Sequence, residues 1–200
     1  MITIGITGGV GAGKSTVLDY LEGRYHAFVI QADRTGHLVM EPGQECYEPV
    51  IRLFGKEVLK KEDKTIDRRK VSDVVFTQPE KLLKLNEIIH PAVKQYILRT
   101  LSEKRESGTE LFVVEAALLL EENYQDFCDE VWYIHTEKEI RMKRLMDSRG
   151  YSREKAESII KAQAVEEFFR ANTDFTVDNS GTPENTLRQI EERIKKYETL

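Results

Sequence analysis

Residues 8–15 read Gly8-Gly9-Val10-Gly11-Ala12-Gly13-Lys14-Ser15 and satisfy the spacing G-x-x-x-x-G-K-[ST] in full. An apolar run, Ile2–Thr7, precedes them, and the residues from Ser15 onward can continue as a helix. That context suits a loop that wraps a polyphosphate. Glycines let the backbone approach an anion without Cβ clashes, and the exposed amides and helix N-terminus then face it. On this reading residues 8–15 and Thr16 hold the phosphates of a nucleoside triphosphate. Lys14 bridges the β- and γ-phosphates, and the Ser15 hydroxyl ligates Mg²⁺. The motif is specific for triphosphate binding and silent on what is done with the triphosphate.

Other residues narrow the choice. A kinase needs a base or orienting carboxylate near its acceptor hydroxyl. Asp33 follows the second apolar run, at the edge where the carboxyl ends of parallel strands line a ligand crevice. A helix N-cap is the competing reading of Asp33. Glu115 ends the third run at the same edge and could equally be a surface or capping residue. Lys138, Arg141, Lys143, Arg144 and Arg149 make one segment strongly basic. Such a segment is either a solvated face or a set of arginines that closes over a transferring phosphoryl group. His26, His37, His90 and His135 show no metal-ligand spacing. A GTPase would carry N-K-x-D after a late strand, and none is present. A motor ATPase usually carries an apolar strand ending in Asp-Glu, whereas residues 111–114 end in Glu115-Ala116.

These residues need elements to position them. Short apolar runs at 2–7, 28–30, 111–115, 131–135 and 175–177 alternate with helical patterns. The alternation predicts an α/β fold with a five-stranded parallel sheet covered on both faces. Residues 37–105 interrupt the rhythm with helical spacing and no convincing strand, which predicts a helical lobe inserted between strands two and three. Within it, Pro91 should end or kink a helix. Thr136-Glu-Lys-Glu139 has the form of a capping box opening a helix that stops at Gly150. Another helix should start after Ser152 and run to about Phe169, and Thr182-Pro183 should open the last one.

Composition sets outer bounds. The chain has 200 residues, 40% hydrophobic and 32% charged, with a net charge of −5. That fits a folded domain and argues against a general nucleic-acid partner. No stretch reaches the ~18 apolar residues of a membrane span, and residues 1–7 read as a strand rather than a signal peptide. Cys46 and Cys128 lack CxxC spacing, so two ordinary thiols in a reducing cytoplasm are expected.

Taken together, the residues resemble the dephospho-CoA kinase family over nearly the whole chain. The resemblance rests on Thr7-Gly-Gly-Val-Gly-Ala-Gly-Lys-Ser-Thr16, Val29-Ile-Gln-Ala-Asp33, Glu41-Pro-Gly43, Phe54-Gly55 and Ile66-Asp-Arg68. Val75-Phe76, Ile89-His-Pro91, Leu118-Leu119, Arg144-Leu145, Gln163 and Val177-Asp-Asn-Ser-Gly181 complete it. It implies transfer of the ATP γ-phosphoryl group, with Mg²⁺, to the ribose 3′-hydroxyl of dephospho-CoA. It also implies a fold like that of nucleoside monophosphate kinases. The expected division is a nucleotide-binding core at 1–36, 106–136 and 170–200, a helical CoA-substrate lobe at 37–105 and a lid at 137–169. The resemblance makes Asp33 the catalytic aspartate, puts Asp33, Arg68 and His90 on the substrate side, and makes Arg144 and Arg149 the expected ATP-binding pair of the lid. Lys14 joins the catalysis from the loop motif, and Glu115 is expected on the substrate side from its strand edge. A cytoplasmic enzyme, monomeric or weakly homo-oligomeric, without nucleic-acid or membrane partners, is the expectation. A P-loop kinase for another nucleotide or small alcohol, or an ATPase switch, is the alternative.

Three departures from the family pattern stand out. Gln31-Ala-Asp33 replaces Asp-Ala-Asp, and Ala117-Leu-Leu119 replaces Pro-Leu-Leu. In the lid, Ser148 falls where a second arginine is usual, and Arg149 comes one residue later, a rotation of about 100° on a helix.

Overall fold

A computed structural model describes residues 1–198 of the chain. The apolar runs are strands: β1 (Ile2–Thr7), β2 (Phe28–Gln31), β3 (Leu111–Glu115), β4 (Glu130–His135) and β5 (Phe175–Asp178). They form one sheet in the order β2-β3-β1-β4-β5. β1 pairs in parallel with β3 and β4, and β4 with β5. Every residue of β3 is buried and so are five of six in β1, the burial on both faces that a continuous apolar run requires. β1 is central, with sheet growing away from it on both sides, so the loop that follows it opens at a topological switch point.

Contacts divide the chain into two units, Ile30–Glu103 and the remainder. In the larger unit, α1 (Lys14–Tyr25) and α9 (Pro183–Glu198) press Val17, Leu21, Ile190 and Ile194 onto Ile4, Ile6 and Trp132. The same unit carries α6 (Lys138–Arg149), α7 (Arg153–Lys161) and α8 (Glu166–Ala171). The smaller unit is helical: α2 (Ala32–Leu38), α3 (Tyr47–Phe54), α4 (Arg68–Thr77) and most of α5 (Pro79–Glu106), with one antiparallel bridge between Leu59 and Ile66. Among the described residues no helix is long and apolar enough to cross a membrane.

Three local expectations are corrected. Of the two outcomes expected at Pro91, a helix end is excluded: α5 runs unbroken for 28 residues. Proline forfeits one bond to the carbonyl four residues back. Leu85, Ala92, Val93, Ile97 and Leu101 nevertheless keep a single buried stripe on both sides of it, and that burial outweighs the loss. The capping box is not made. Glu137 is the N-cap of α6 without a side-chain bond, because the Thr136 hydroxyl donates instead to the Ala12 carbonyl at 2.9 Å. The stretch after Ser152 is two helices. Ser152 does cap α7, accepting from the Lys155 amide at 3.2 Å, but residues 162–165 break the pattern before α8. The stop at Gly150 holds: φ is 62° and its amide donates to the Met146 carbonyl at 3.0 Å.

The continuous stripe of α5 is testable. Ile97 is fully buried and Leu83 is 65% exposed. Ile97→Ala should cost about 2–5 kcal/mol in urea unfolding, whereas Leu83→Ala should stay within about 0.5 kcal/mol. Equal effects would rule out the one-helix arrangement.

Candidate active site

The loop after β1 is held by hydrogen bonds to its carbonyls, which need partners within the protein where water does not reach them. They do. Lys14 Nζ donates to Gly8 O at 2.8 Å, and the Ala12 amide to Gly9 O at 3.1 Å. Arg141 Nε donates to Val10 O at 3.0 Å, and the Thr16 amide to Gly13 O at 3.2 Å. Ala12 O accepts from Asn179 Nδ2 at 2.8 Å and from the Thr136 hydroxyl. Arg144 Nη1 adds a longer contact to Ala12 O at 3.4 Å, while its Nη2 donates to Asn179 O at 3.0 Å. Asn179 is itself held by the Thr186 hydroxyl, which donates to its Oδ1 at 2.9 Å.

Strand register places these donors. Glu115 pairs with Ile6, and Tyr133 with Thr7, so β3 and β4 both end beside the start of the loop. His135 pairs with Asp178, which delivers Thr136 and Asn179 to the same carbonyl. Gly13 is the N-cap of α1 at φ 84°, a left-handed conformation, and a Cβ there would run into Asn179 Nδ2. Only glycine fits both demands.

Glu115 is buried, and its Oε1 lies 3.5 Å from Lys14 Nζ. The lysine is thus shared between a carbonyl and a carboxylate, pointing along the loop. Ser15 is exposed at the start of α1. A serine hydroxyl is a hard-oxygen donor of the kind Mg²⁺ accepts, with substrate phosphates and water filling the other positions. The residues present therefore fit the ion.

The structure brings together residues 8–16, Glu115 and Arg144. It leaves Arg149 out: this residue ends α6, is exposed, and makes none of the loop's hydrogen bonds. Ser148 donates its hydroxyl to Arg144 O at 2.6 Å instead of reaching the loop. Arg141 and Gln163 do reach it and were not singled out as site residues from the sequence. Asn179 was likewise part of a motif without a role. The basic composition of 138–149 marked the right helix but not which face of it meets the loop.

The smaller unit holds a second group. Asp33 is exposed in the first turn of α2, and the N-cap is Gln31, so the capping reading of Asp33 does not apply. Arg68 opens α4, and its Nη1 lies 2.8 Å and 2.9 Å from the two ring nitrogens of His37. Burial, aided by the Arg68 charge, pushes the His37 pKa down, with Asp33 and Glu41 pulling the other way. His37 is then neutral at pH 7, with one ring nitrogen able to accept from Arg68. Both residues line a cavity of about 230 Å³ with Met40, Glu41, Lys60 and Thr65. His37 could not be told from the other histidines by sequence spacing. His90 sits inside α5 and does not line this cavity.

Comparison with known proteins follows the same outline. The dephospho-CoA kinase family model matches residues 2–185. The dephospho-CoA kinase of Carboxydothermus hydrogenoformans is 40% identical over 97% of this chain and 93% of its own length. That of Geobacter sulfurreducens is 38% identical over 96% of each. The crystal structure of the Thermus thermophilus protein TT1252 superposes with a TM-score of 0.81 at 29% identity, covering 98% of this chain and 97% of that one. A family match that spans the phosphate loop, α5 and the residues around Arg144 and Asn179 leaves one conclusion: the chain belongs to the dephospho-CoA kinase family, a family of ATP-dependent phosphotransferases.

Proposed function

We propose that this chain transfers the γ-phosphoryl group of ATP to the ribose 3′-hydroxyl of dephospho-CoA, releasing ADP and coenzyme A. The observation that carries the reading is the family match over residues 2–185, set on a loop whose Gly8, Val10 and Ala12 carbonyls are held by protein donors. The bond between Pγ and the β–γ bridging oxygen breaks as the ribose oxygen bonds to phosphorus. The hydroxyl proton passes to a carboxylate, and ADP leaves with the bridging oxygen. Such a transfer depends chiefly on positioning and on charge stabilisation.

In this reading Lys14 leaves Gly8 O to span the β- and γ-phosphates, and the loop amides and Arg144 hold the same groups. Mg²⁺, when bound at Ser15, neutralises phosphate charge. Asp33 takes the hydroxyl proton. Its exposure and its freedom from a capping duty support that role. Arg68, with His37 fixed against it, serves the acceptor's anionic groups, and His90 and Glu115 stand with the substrate side. Residues 37–105 act as the acceptor lobe and 137–169 as the lid, in a cytoplasmic enzyme that is monomeric or weakly self-associating.

A coupled ADP-release assay with MgATP across dephospho-CoA, AMP, CMP, shikimate and pantothenate tests the reaction. Only dephospho-CoA should drive turnover, and ADP release without an acceptor would overturn the reading. Asp33→Asn keeps size and removes the carboxylate, so turnover should fall by ~10²–10⁴-fold while ATP affinity stays within about twofold. Full activity in this variant would remove Asp33 from the mechanism. Lys14→Ala should lower turnover by about 10²-fold or more, the scale of losing one positioned cation at developing charge. An active Lys14→Ala enzyme would mean the loop does not hold the transferred group.

A further inference from the structure

The break between α7 and α8 carries Gln163 onto the phosphate loop. Its Oε1 accepts from the Val10 amide at 3.2 Å and also from the Arg141 guanidinium. Arg141 Nε returns to Val10 O at 3.0 Å, so the Val10 peptide, Gln163 and Arg141 close a ring of three hydrogen bonds. Gly9 makes room for it: a Cβ there would run into the Arg141 guanidinium and lie 2.8 Å from Gln163 Oε1.

Two features set this ring apart from ordinary packing. The guanidinium is substantially removed from water, and that burial lowers the Arg141 pKa. Its hydrogen-bond acceptors are nevertheless neutral oxygens, Val10 O and Gln163 Oε1, with no carboxylate among the described residues. A cation taken from water is ordinarily matched by an anion. In addition, one oxygen receives both an outward loop amide and an arginine. Those are the donors a phosphate oxygen takes at such a loop.

We propose that Gln163 Oε1 is a neutral placeholder for an oxygen of the bound polyphosphate, and that Arg141 is the lid arginine passed from Gln163 to that oxygen when nucleotide binds. The inference rests on the reading of residues 8–15 as the nucleotide loop. An amide oxygen can hold the loop amide and the arginine in place without nucleotide, and it yields because an anion is the better acceptor for both. Ser148 makes no such contact, and Arg149 none at all with the loop, so Arg141 supplies the second lid arginine from three residues before Arg144 rather than from beyond it.

Changing the placeholder's charge is the test, read by ATP titration calorimetry without acceptor and by apo-protein melting. Gln163→Glu would make the placeholder an anion paired with Arg141. The apo protein should melt higher, and ATP affinity should fall at least tenfold. Gln163→Ala removes the competitor, so ATP should bind as tightly as to wild type or a few-fold more tightly, with a lower apo melting point. Ala164→Glu, one exposed residue away, adds the same charge out of place and should change ATP affinity by no more than about twofold. Arg141→Met should weaken ATP at least tenfold. The inference is overturned if Gln163→Glu binds ATP as wild type does, or if Gln163→Ala weakens ATP as much as Gln163→Glu does. Failure of wild-type protein to bind ATP, or unchanged binding in Lys14→Ala, would overturn instead the loop reading on which the inference rests.

Discussion

A loop that offers several consecutive amides to a ligand must turn the matching carbonyls the other way, and a carbonyl buried without a partner is costly. Much of this molecule's larger unit can be derived from that requirement. Ala12 O alone draws Asn179 from the end of β5 and Thr136 from the end of β4, at 2.8 Å and 2.9 Å. Arg144 from α6 joins them at 3.4 Å. The strands must therefore end in register beside β1, and α6 must start where its second turn can look back at the loop. Thr136 could have capped α6 by its sequence position. It serves the loop carbonyl instead, because an exposed helix end can be satisfied by water and a buried carbonyl cannot.

The same reasoning explains what could and could not be read from the chain. The strands were legible because parallel strands covered on both faces need unbroken apolar runs, and Leu-Phe-Val-Val at 111–114 has no other economical use. The turn from β1 into α1 was legible because its glycines are fixed by local backbone geometry. Pro91 misled because a helix's local cost was visible while the buried stripe offsetting it, from Leu85 to Leu101, depended on tertiary packing. Gln163 and Arg141 were hidden for a related reason. Their spacing of 22 residues has meaning only once the chain breaks between α7 and α8. His37 was hidden because its partner, Arg68, lies 31 residues away across the smaller unit.

The distribution of carboxylates separates the arginines that hold the fold from those that face the loop. Arg193 is held by Glu130, which also accepts from the Trp132 indole, and Arg170 by Glu166 at 2.6 Å. Lys138 pairs with Glu157 at 2.9 Å. In each of these the charge is answered by another charge, and nothing further is asked of a ligand. Around residues 8–15 the acceptors facing Lys14, Arg141 and Arg144 are backbone, amide and hydroxyl oxygens, except for Glu115 at 3.5 Å from Lys14. A dipole orients a guanidinium without neutralising it, so the positive charge gathered at the loop is not cancelled by these acceptors, which on the proposed reading leaves it for a polyphosphate. Placing carboxylates on Arg141 and Arg144 would make the empty protein more stable and the bound one less so. Their absence among the described residues is what the proposed reading requires of a site preorganised for an anion, in a chain whose net charge of −5 would otherwise repel one.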